Sequence, residues 1–182
     1  NGYAWVSLVA FDMQKIRPKN LPAFKPVSDF QEINIRTYVK LNEKAGVHFL
    51  SIEASKHISC FLAKSISKLP YRFSKMKRST SNFVSHNSNL DESFSVDFKI
   101  GNPVSTKDDI DFWLTERYAL FQDYKNKIHA FDIHHIEWPI NKIQVESLEV
   151  NYPRFSNLIN NSPDRVNYSA GVQVIAWDKE VI

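Results

Sequence analysis

Apolar and polar residues alternate most cleanly between Phe30 and Glu53, and the rest of the chain is read outward from that stretch. Ile33, Ile35, Thr37, Val39 and Leu41 fall on one side of a strand, while Glu32, Asn34, Arg36, Tyr38 and Lys40 fall on the other. A second strand covers Val47 to Glu53. Between them Asn42-Glu43-Lys44-Ala45-Gly46 predicts a hairpin loop in which Gly46 supplies positive φ. Symmetric closure sets Leu41 opposite Val47, Tyr38 opposite Leu50 and Arg36 opposite Ile52. A solvated outer face is one reading of the polar row. Polar side chains set beside aliphatic ones favour the other, a partly enclosed surface with the make-up of a small-molecule pocket. A slip of one residue would exchange the partner strand's faces and remove that argument.

The remaining pattern is mostly strand. Tyr3 to Met13 is a nearly continuous apolar run, expected to be a strand buried on both faces. Arg17 to Pro26 holds Pro18, Pro22 and Pro26 and is expected to run extended over the surface. Ile58, Phe61, Leu62, Ile66 and Leu69 fall at helical spacing, so Ser55 to Leu69 predicts a helix, capped by Ser55 and ended by Pro70. Cys60 projects away from that stripe, near Lys56 and Lys64.

Short strands are expected at Tyr71–Met76, Ser81–Ser85 and Ser93–Ile100. Thr106 with Asp109 resembles a capping box and opens a short helix to about Leu114. Glu116–Asp123 and Lys127–His135 form an antiparallel pair turning at Lys125-Asn126. Ile143 to Val150 is a strand with an irregularity near Ser147, and Asn167 to Trp177 is the last strand. The prediction is a mainly β, α+β chain with one or two short helices, closed as an antiparallel barrel or cone, or stacked as a sandwich.

Composition narrows the chemistry. At 182 residues the chain is expected to be one domain, residues 1–182. A net charge of +3 is only mildly basic, and Lys64, Lys68, Arg72, Lys75, Lys77 and Arg78 read as a solvated cationic face, so no nucleic-acid partner is expected. The single Cys60 excludes an internal disulfide and a multi-cysteine zinc site. His134 and His135 point to opposite sides of a strand, and His48, His57, His86 and His129 lack ligand spacing, so no metal is expected. Four glycines, at positions 2, 46, 101 and 171, leave no phosphate-binding or dinucleotide loop, and no cofactor is expected. The longest apolar run, Ala4 to Phe11, falls short of the ~20 residues that span a bilayer. No signal peptide is visible, and the expected setting is cytoplasmic with no membrane partner.

Several marks, taken in order, resemble one family. They are Ala4-Trp5-Val6-Ser7-Leu8-Val9-Ala10-Phe11-Asp12-Met13, Glu32-Ile33-Asn34-Ile35-Arg36-Thr37-Tyr38-Val39, Gly46-Val47-His48-Phe49, Leu69-Pro70-Tyr71, Leu114-Thr115-Glu116-Arg117-Tyr118 and Trp138-Pro139. The set is similar to the YqjF-like family of bacterial proteins of unknown function and runs from Tyr3 to Trp177. That resemblance implies a further N-terminal segment missing here. It also implies a distant kinship with acetoacetate-decarboxylase-like barrels, which enclose a ligand cavity. Decarboxylases of that group use a Schiff-base lysine after a Phe-Pro at a helix end. The matching place is Leu69-Pro70-Tyr71-Arg72, where Tyr71 cannot form an imine. Lys75 lies four residues on, roughly 13 Å along a strand. Glu32 corresponds to a cavity carboxylate of the decarboxylases.

The candidate ligand-binding residues are therefore Glu32, Asn34, Arg36, Tyr38, Tyr71 and Glu116. Glu32 and Arg36 sit too far apart on one strand to pair, and each is costly to bury alone. Glu116 or Arg117 could satisfy them across the sheet, or an anionic ligand could take Arg36. The expected function is binding of a small organic ligand, such as a carboxylate, in a barrel cavity. The alternative is a lyase or hydrolase with acid/base chemistry by Glu32.

Overall fold

The computed structural model describes residues 2–17, 22–61 and 69–181, and strands dominate it. β1 (Val6–Met13), β2 (Phe30–Leu41) and β3 (Lys44–Ala54) form an antiparallel meander, with the short helix α1 (Lys25–Ser28) leading into β2. Residues 57–61 form a helical segment, α2. Then follow β4 (Tyr71–Phe73), β5 (Lys75–Arg78), β6 (Asn82–Asn87), β7 (Glu92–Pro103) and helix α3 (Asp109–Thr115). β8 (Ala119–Tyr124), β9 (Lys127–His135), β10 (Asn141–Asn151) and β11 (Val174–Val181) complete the chain. One sheet has the order β1-β2-β3-β8-β9-β11, with β4 also on β3, and curls into a half-barrel. The other has the order β10-β7-β6-β5.

β3 organises the large sheet. One of its edges pairs with β2. The other takes β8 in parallel at Val47 and His48, and β4 in parallel from Ile52 to Ala54. Gly46 stands where β3 and β8 approach. A Cβ there would lie 2.5 Å from the Ala119 carbonyl oxygen and 2.8 Å from the Phe121 ring. Its role is close packing, not the positive φ expected of a turn. The turn itself is a tight pair, Asn42-Glu43, with Asn42 at φ 54°. Asn accepts that left-handed backbone more readily than most residues.

The tighter turn changes the expected register. Tyr38 pairs with Val47 and Arg36 with Phe49, while Ile35 pairs with Ser51, leaving Leu50 as the extra residue of a bulge. The odd shift puts Val47 and Phe49, not Leu50, beside Tyr38 and Arg36. The bulge then returns Ile52 and Ala54 to the same face, opposite Asn34 and Glu32. An apolar partner row thus flanks the polar one after all, with Val47, Phe49 and Ala54 in it, Leu50 out of it, and Ile52 opposite Asn34 instead of Arg36.

The other face of β2 is the main core. Ile33 and Ile35 pack with Phe83 and Phe94 from the second sheet and with Tyr152 just after β10, joined by Leu8, Leu50, Val96 and Leu148. Across the sheet Val47, Ile52, Leu69 and Leu120 pack with Tyr38, Phe49 and Tyr71. β1 differs from expectation: it is an edge strand, half-buried along its length, since only β2 pairs with it.

Two boundaries also move, and one helix buries a different side. The capping box of α3 is Asp108 with Asp111, two residues beyond Thr106, and Arg165 clamps both carboxylates at 2.7 and 2.6 Å. β11 begins at Val174 because Gly171 turns the backbone to φ 101°, leaving Tyr168 only an isolated bridge to Asn141. In α2, Ile58 and Phe61 are exposed, whereas Cys60 is buried against Phe30, Ala54 and Phe73. Small Ser59 and Cys60 let the helix sit close: Ser59 donates to the Val27 carbonyl at 2.8 Å and the Cys60 thiol to that of Arg72 at 3.2 Å. Leu62 and Ile66, the rest of the expected stripe, lie outside the described residues, as do Lys64 and Lys68 of the cationic cluster.

Candidate functional site

β2 carries the site because alternate residues of one strand share a face. Glu32 is flanked in register by Phe11 of β1 and Ala54 of β3, Asn34 by Val9 and Ile52, and Arg36 by Ser7 and Phe49. Glu32 and Asn34 are each only 2% exposed. Tyr71 Oη donates to Glu32 Oε2 at 2.8 Å, and Asn34 Nδ2 donates to Oε1 at 3.1 Å. Burial raises the Glu32 carboxyl from 4.5 to about 7, against the opposing pull of Tyr71, Asn34 and the Arg36 charge. Burial and the same carboxylate hold the Tyr71 phenol well above its ordinary value.

Further along β2, Tyr38 accepts from Ser7 Oγ at 2.7 Å and donates to the Leu114 carbonyl at 3.2 Å. Its ring lies 4.5 Å from that of Trp113 on α3. The Arg117 guanidinium stacks over both rings, 4.5 Å from Trp113 and 5.6 Å from Tyr38, and Arg36 lies 5.9 Å from the Tyr38 ring. Burial lowers the Arg117 pKa, and the like charge of Arg36 lowers it further.

Two cations side by side need an explanation. Eight buried side-chain polar atoms find no partner among the described residues, and four of them lie here: Asn34 Oδ1, Arg36 Nε, Arg117 Nε and Arg117 Nη2. Each such atom costs about 1–3 kcal/mol when left unmatched. Neither Arg117 nor Glu116 fills the need: Arg117 Nε and Nη2 themselves meet no acceptor among the described residues, and Glu116 is engaged elsewhere.

Glu116 belongs to a second cluster. Its Oε1 accepts from the buried Lys107 Nζ at 2.6 Å and from the Trp138 backbone N–H at 3.1 Å, and its Oε2 accepts from Tyr118 at 3.1 Å. Burial would raise this carboxyl, but those donors together with Thr115 hold it below its ordinary value. A tight turn after α3, with Glu116 at φ −93° and ψ 78° and the Arg117 N–H donating to the Thr115 carbonyl at 3.1 Å, accompanies the split between Glu116 and Arg117. The structure thus brings Glu32, Asn34 and Tyr71 together, sets Arg36 and Tyr38 beside them on the same strand face, and directs Glu116 away. It adds Arg117 and Trp113, which sequence reasoning did not place in the site. No periodicity marks the face of a residue in a connection such as that after α3.

The other candidates can be placed as well. His135 stacks on Tyr118 at 4.8 Å and hydrogen-bonds the Arg117 carbonyl at 3.2 Å. Among the described residues no cluster of three or more His, Cys, Asp or Glu could hold a metal ion. Lys75 is exposed at the start of β5 in the other sheet, and Arg78 pairs with Asp12 at 3.1 Å. Two surface grooves are lined by other residues, one by Asp12, Lys15, Lys25 and Asp29, the other by Asp12, Arg78, Thr80 and Tyr168. Among the described residues no helix is long and apolar enough to cross a membrane.

A curled, mostly antiparallel sheet backed by a smaller one, with polar residues in a row on β2, defines an acetoacetate-decarboxylase-like fold. The acetoacetate decarboxylase of Legionella pneumophila superposes with a TM-score of 0.58 at 14% identity, over 98% of this chain and 84% of that one. The enduracididine biosynthesis enzyme MppR gives 0.53 at 8% identity, over 85% of this chain and 65% of its own. An acetoacetate decarboxylase-like enzyme from Sphingomonas wittichii RW1 gives 0.50 at 10%, over 94% and 74%. At these identities the likeness is one of fold alone.

The chain belongs to the DUF2071 family, described as an uncharacterized conserved protein, whose sequence profile matches residues 1–173. It is 35% identical over 153 residues to the uncharacterized protein YqjF of Bacillus subtilis (strain 168), matching 80% of this chain. The chain spans 63% of that relative's length.

Proposed function

We propose that this chain binds a small organic carboxylate on the face bearing Glu32, Asn34, Arg36, Tyr38 and Tyr71, with Arg117 as a second cation. One observation carries the reading: two neighbouring guanidinium groups hold buried N–H donors that meet no acceptor among the described residues. A guanidinium stays charged near neutral pH, and its planar fork matches a carboxylate. Stacking on Tyr38 and Trp113 fixes the Arg117 plane, which lowers the entropy lost on binding. The apolar neighbours Phe11, Phe49 and Ile52 suit the carbon skeleton of such a ligand.

A second reading, acid/base lyase or hydrolase chemistry by Glu32, is favoured by the position of its carboxyl near pH 7, where it can both take and give a proton. An imine route has no support, since Tyr71 occupies the matching place and Lys75 lies exposed in the other sheet.

Calorimetric titration with acetoacetate and with butyrate tests the binding. Saturable binding is expected, weakened about tenfold or more by Arg36→Gln or Arg117→Gln at unchanged circular dichroism. Absence of binding to both probes, with no anion retained in native mass spectrometry, overturns the proposal. Loss of acetoacetate turnover in Glu32→Gln with binding preserved would support the catalytic reading, and absence of turnover in the unaltered protein would remove it.

A further inference from the structure

We propose that the ligand carries a hydrogen-bond donor, a hydroxyl or an N–H, set back from its carboxylate; the inference rests on the carboxylate reading above. The observation is Asn34. Its side chain is buried, its Nδ2 donates to Glu32 Oε1 at 3.1 Å, and its Oδ1 meets no donor among the described residues. The amide orientation follows from its neighbour: turned over, it would set its oxygen against the Glu32 carboxylate, two acceptors together. Asn34 therefore presents an acceptor.

Among the described residues no side chain in register with it supplies a donor, and Arg36 Nε, on the same face, is not bonded to it. The residues in register on either side are Val9 and Ile52, whose side chains have no donor. The Tyr71 hydroxyl is committed to Glu32. Along this face of β2 the order is carboxylate at Glu32, neutral acceptor at Asn34 and cation at Arg36, with Arg117 close to the last. Same-face neighbours on a strand are about 6.6 Å apart. A carboxylate on the two arginines would place a group three or four carbons away beside Asn34 Oδ1. The face thus selects an anion with a donor partway along its chain, and disfavours a ligand that offers only acceptors.

Titration of the intact protein with butyrate, γ-methoxybutyrate, γ-hydroxybutyrate and γ-aminobutyrate tests this. At least one of the last two is expected to bind about tenfold tighter than butyrate, and the methoxy compound no better than butyrate. The hydroxyl and amino arms separate the two donor types. Asn34→Leu keeps the branched shape and removes the acceptor, so it should erase the difference between the donor compounds and butyrate, with circular dichroism reporting the fold. The series on unaltered protein stands by itself if that variant does not fold. Equal affinity for all four compounds overturns the donor inference and leaves the carboxylate reading in place. A donor advantage that survives in Asn34→Leu overturns the role of Asn34. Failure of all four to bind overturns the carboxylate reading first.

Discussion

Tyr71 Oη donates to Glu32 Oε2 at 2.8 Å, so a residue of β4 reaches past β3 to a carboxylate on β2. The bond stabilises a charge that burial opposes. That opposition gives the protein a measurable pH dependence.

Below 4.5 the Glu32 carboxyl is protonated in both the folded and the unfolded chain. Between 4.5 and about 7 the unfolded chain releases its proton first, so stability falls as pH rises. Above that range the loss from this group is complete, at about 3 kcal/mol. Glu32→Gln should remove the effect. Urea unfolding at about pH 4 and about pH 8 should show the variant gaining on the unaltered protein by about 3 kcal/mol towards the alkaline side. A difference that does not change with pH would show that the carboxyl titrates normally.

Between the sheets Arg154 grips Glu92 with two hydrogen bonds, 2.7 Å from Nε and 2.9 Å from Nη2. Glu92 and the adjacent Glu53 are each 1% exposed, and Ser74 and Asn87 donate to Glu53. Removing the cation leaves two buried carboxylates facing each other, so Arg154→Ala should cost about 3 kcal/mol at neutral pH. Lowering the pH should recover part of that loss, because protonation relieves it. Thermal unfolding across pH measures this, and a uniform loss would assign the effect to packing alone.

Gly46 leaves no room for a methyl group against the Ala119 carbonyl. The obstacle is backbone, so β3 and β8 would have to part. Gly46→Ala should destabilise by about 1–3 kcal/mol. Hydrogen exchange should quicken at Val47, His48, Leu120 and Phe121 before it does in the second sheet. Unchanged exchange at those four amides would contradict the close approach.

Much of the strand pattern was legible in the chain because alternation on β2 and the Lys125-Asn126 turn are local signals. Lys127–His135 matches β9, and the irregularity near Ser147 is the shift in the β10 ladder between Val145 and Ser147. The register of the β2–β3 hairpin was not legible. Asn42-Glu43 and a five-residue loop fit the same letters, and the choice depends on Gly46 meeting Ala119, a contact made far along the chain. The helix carrying Cys60 falls within the expected range but its inner side differs: apolar Ile58 and Phe61 are exposed, while Ser59 and Cys60 are buried. Within the candidate site the β2 row could be read from its period. Arg117 could not, because it follows α3 in a connection with no period, and Trp113 could not, because a helix of seven residues is too short for its pattern to fix one inner face.

The two-sided pairing of β3 also has a kinetic consequence. His48 meets the Phe121 carbonyl 73 residues later in the chain, and β8 covers that half of the strand only when it arrives. During synthesis the β2–β3 hairpin therefore emerges with an uncovered edge beside Val47 and Phe49, and keeps it until most of the molecule has been made. A fragment ending before Ala119 would retain that sticky border permanently and self-associate, so this early-made strand depends on a late-made neighbour for its solubility.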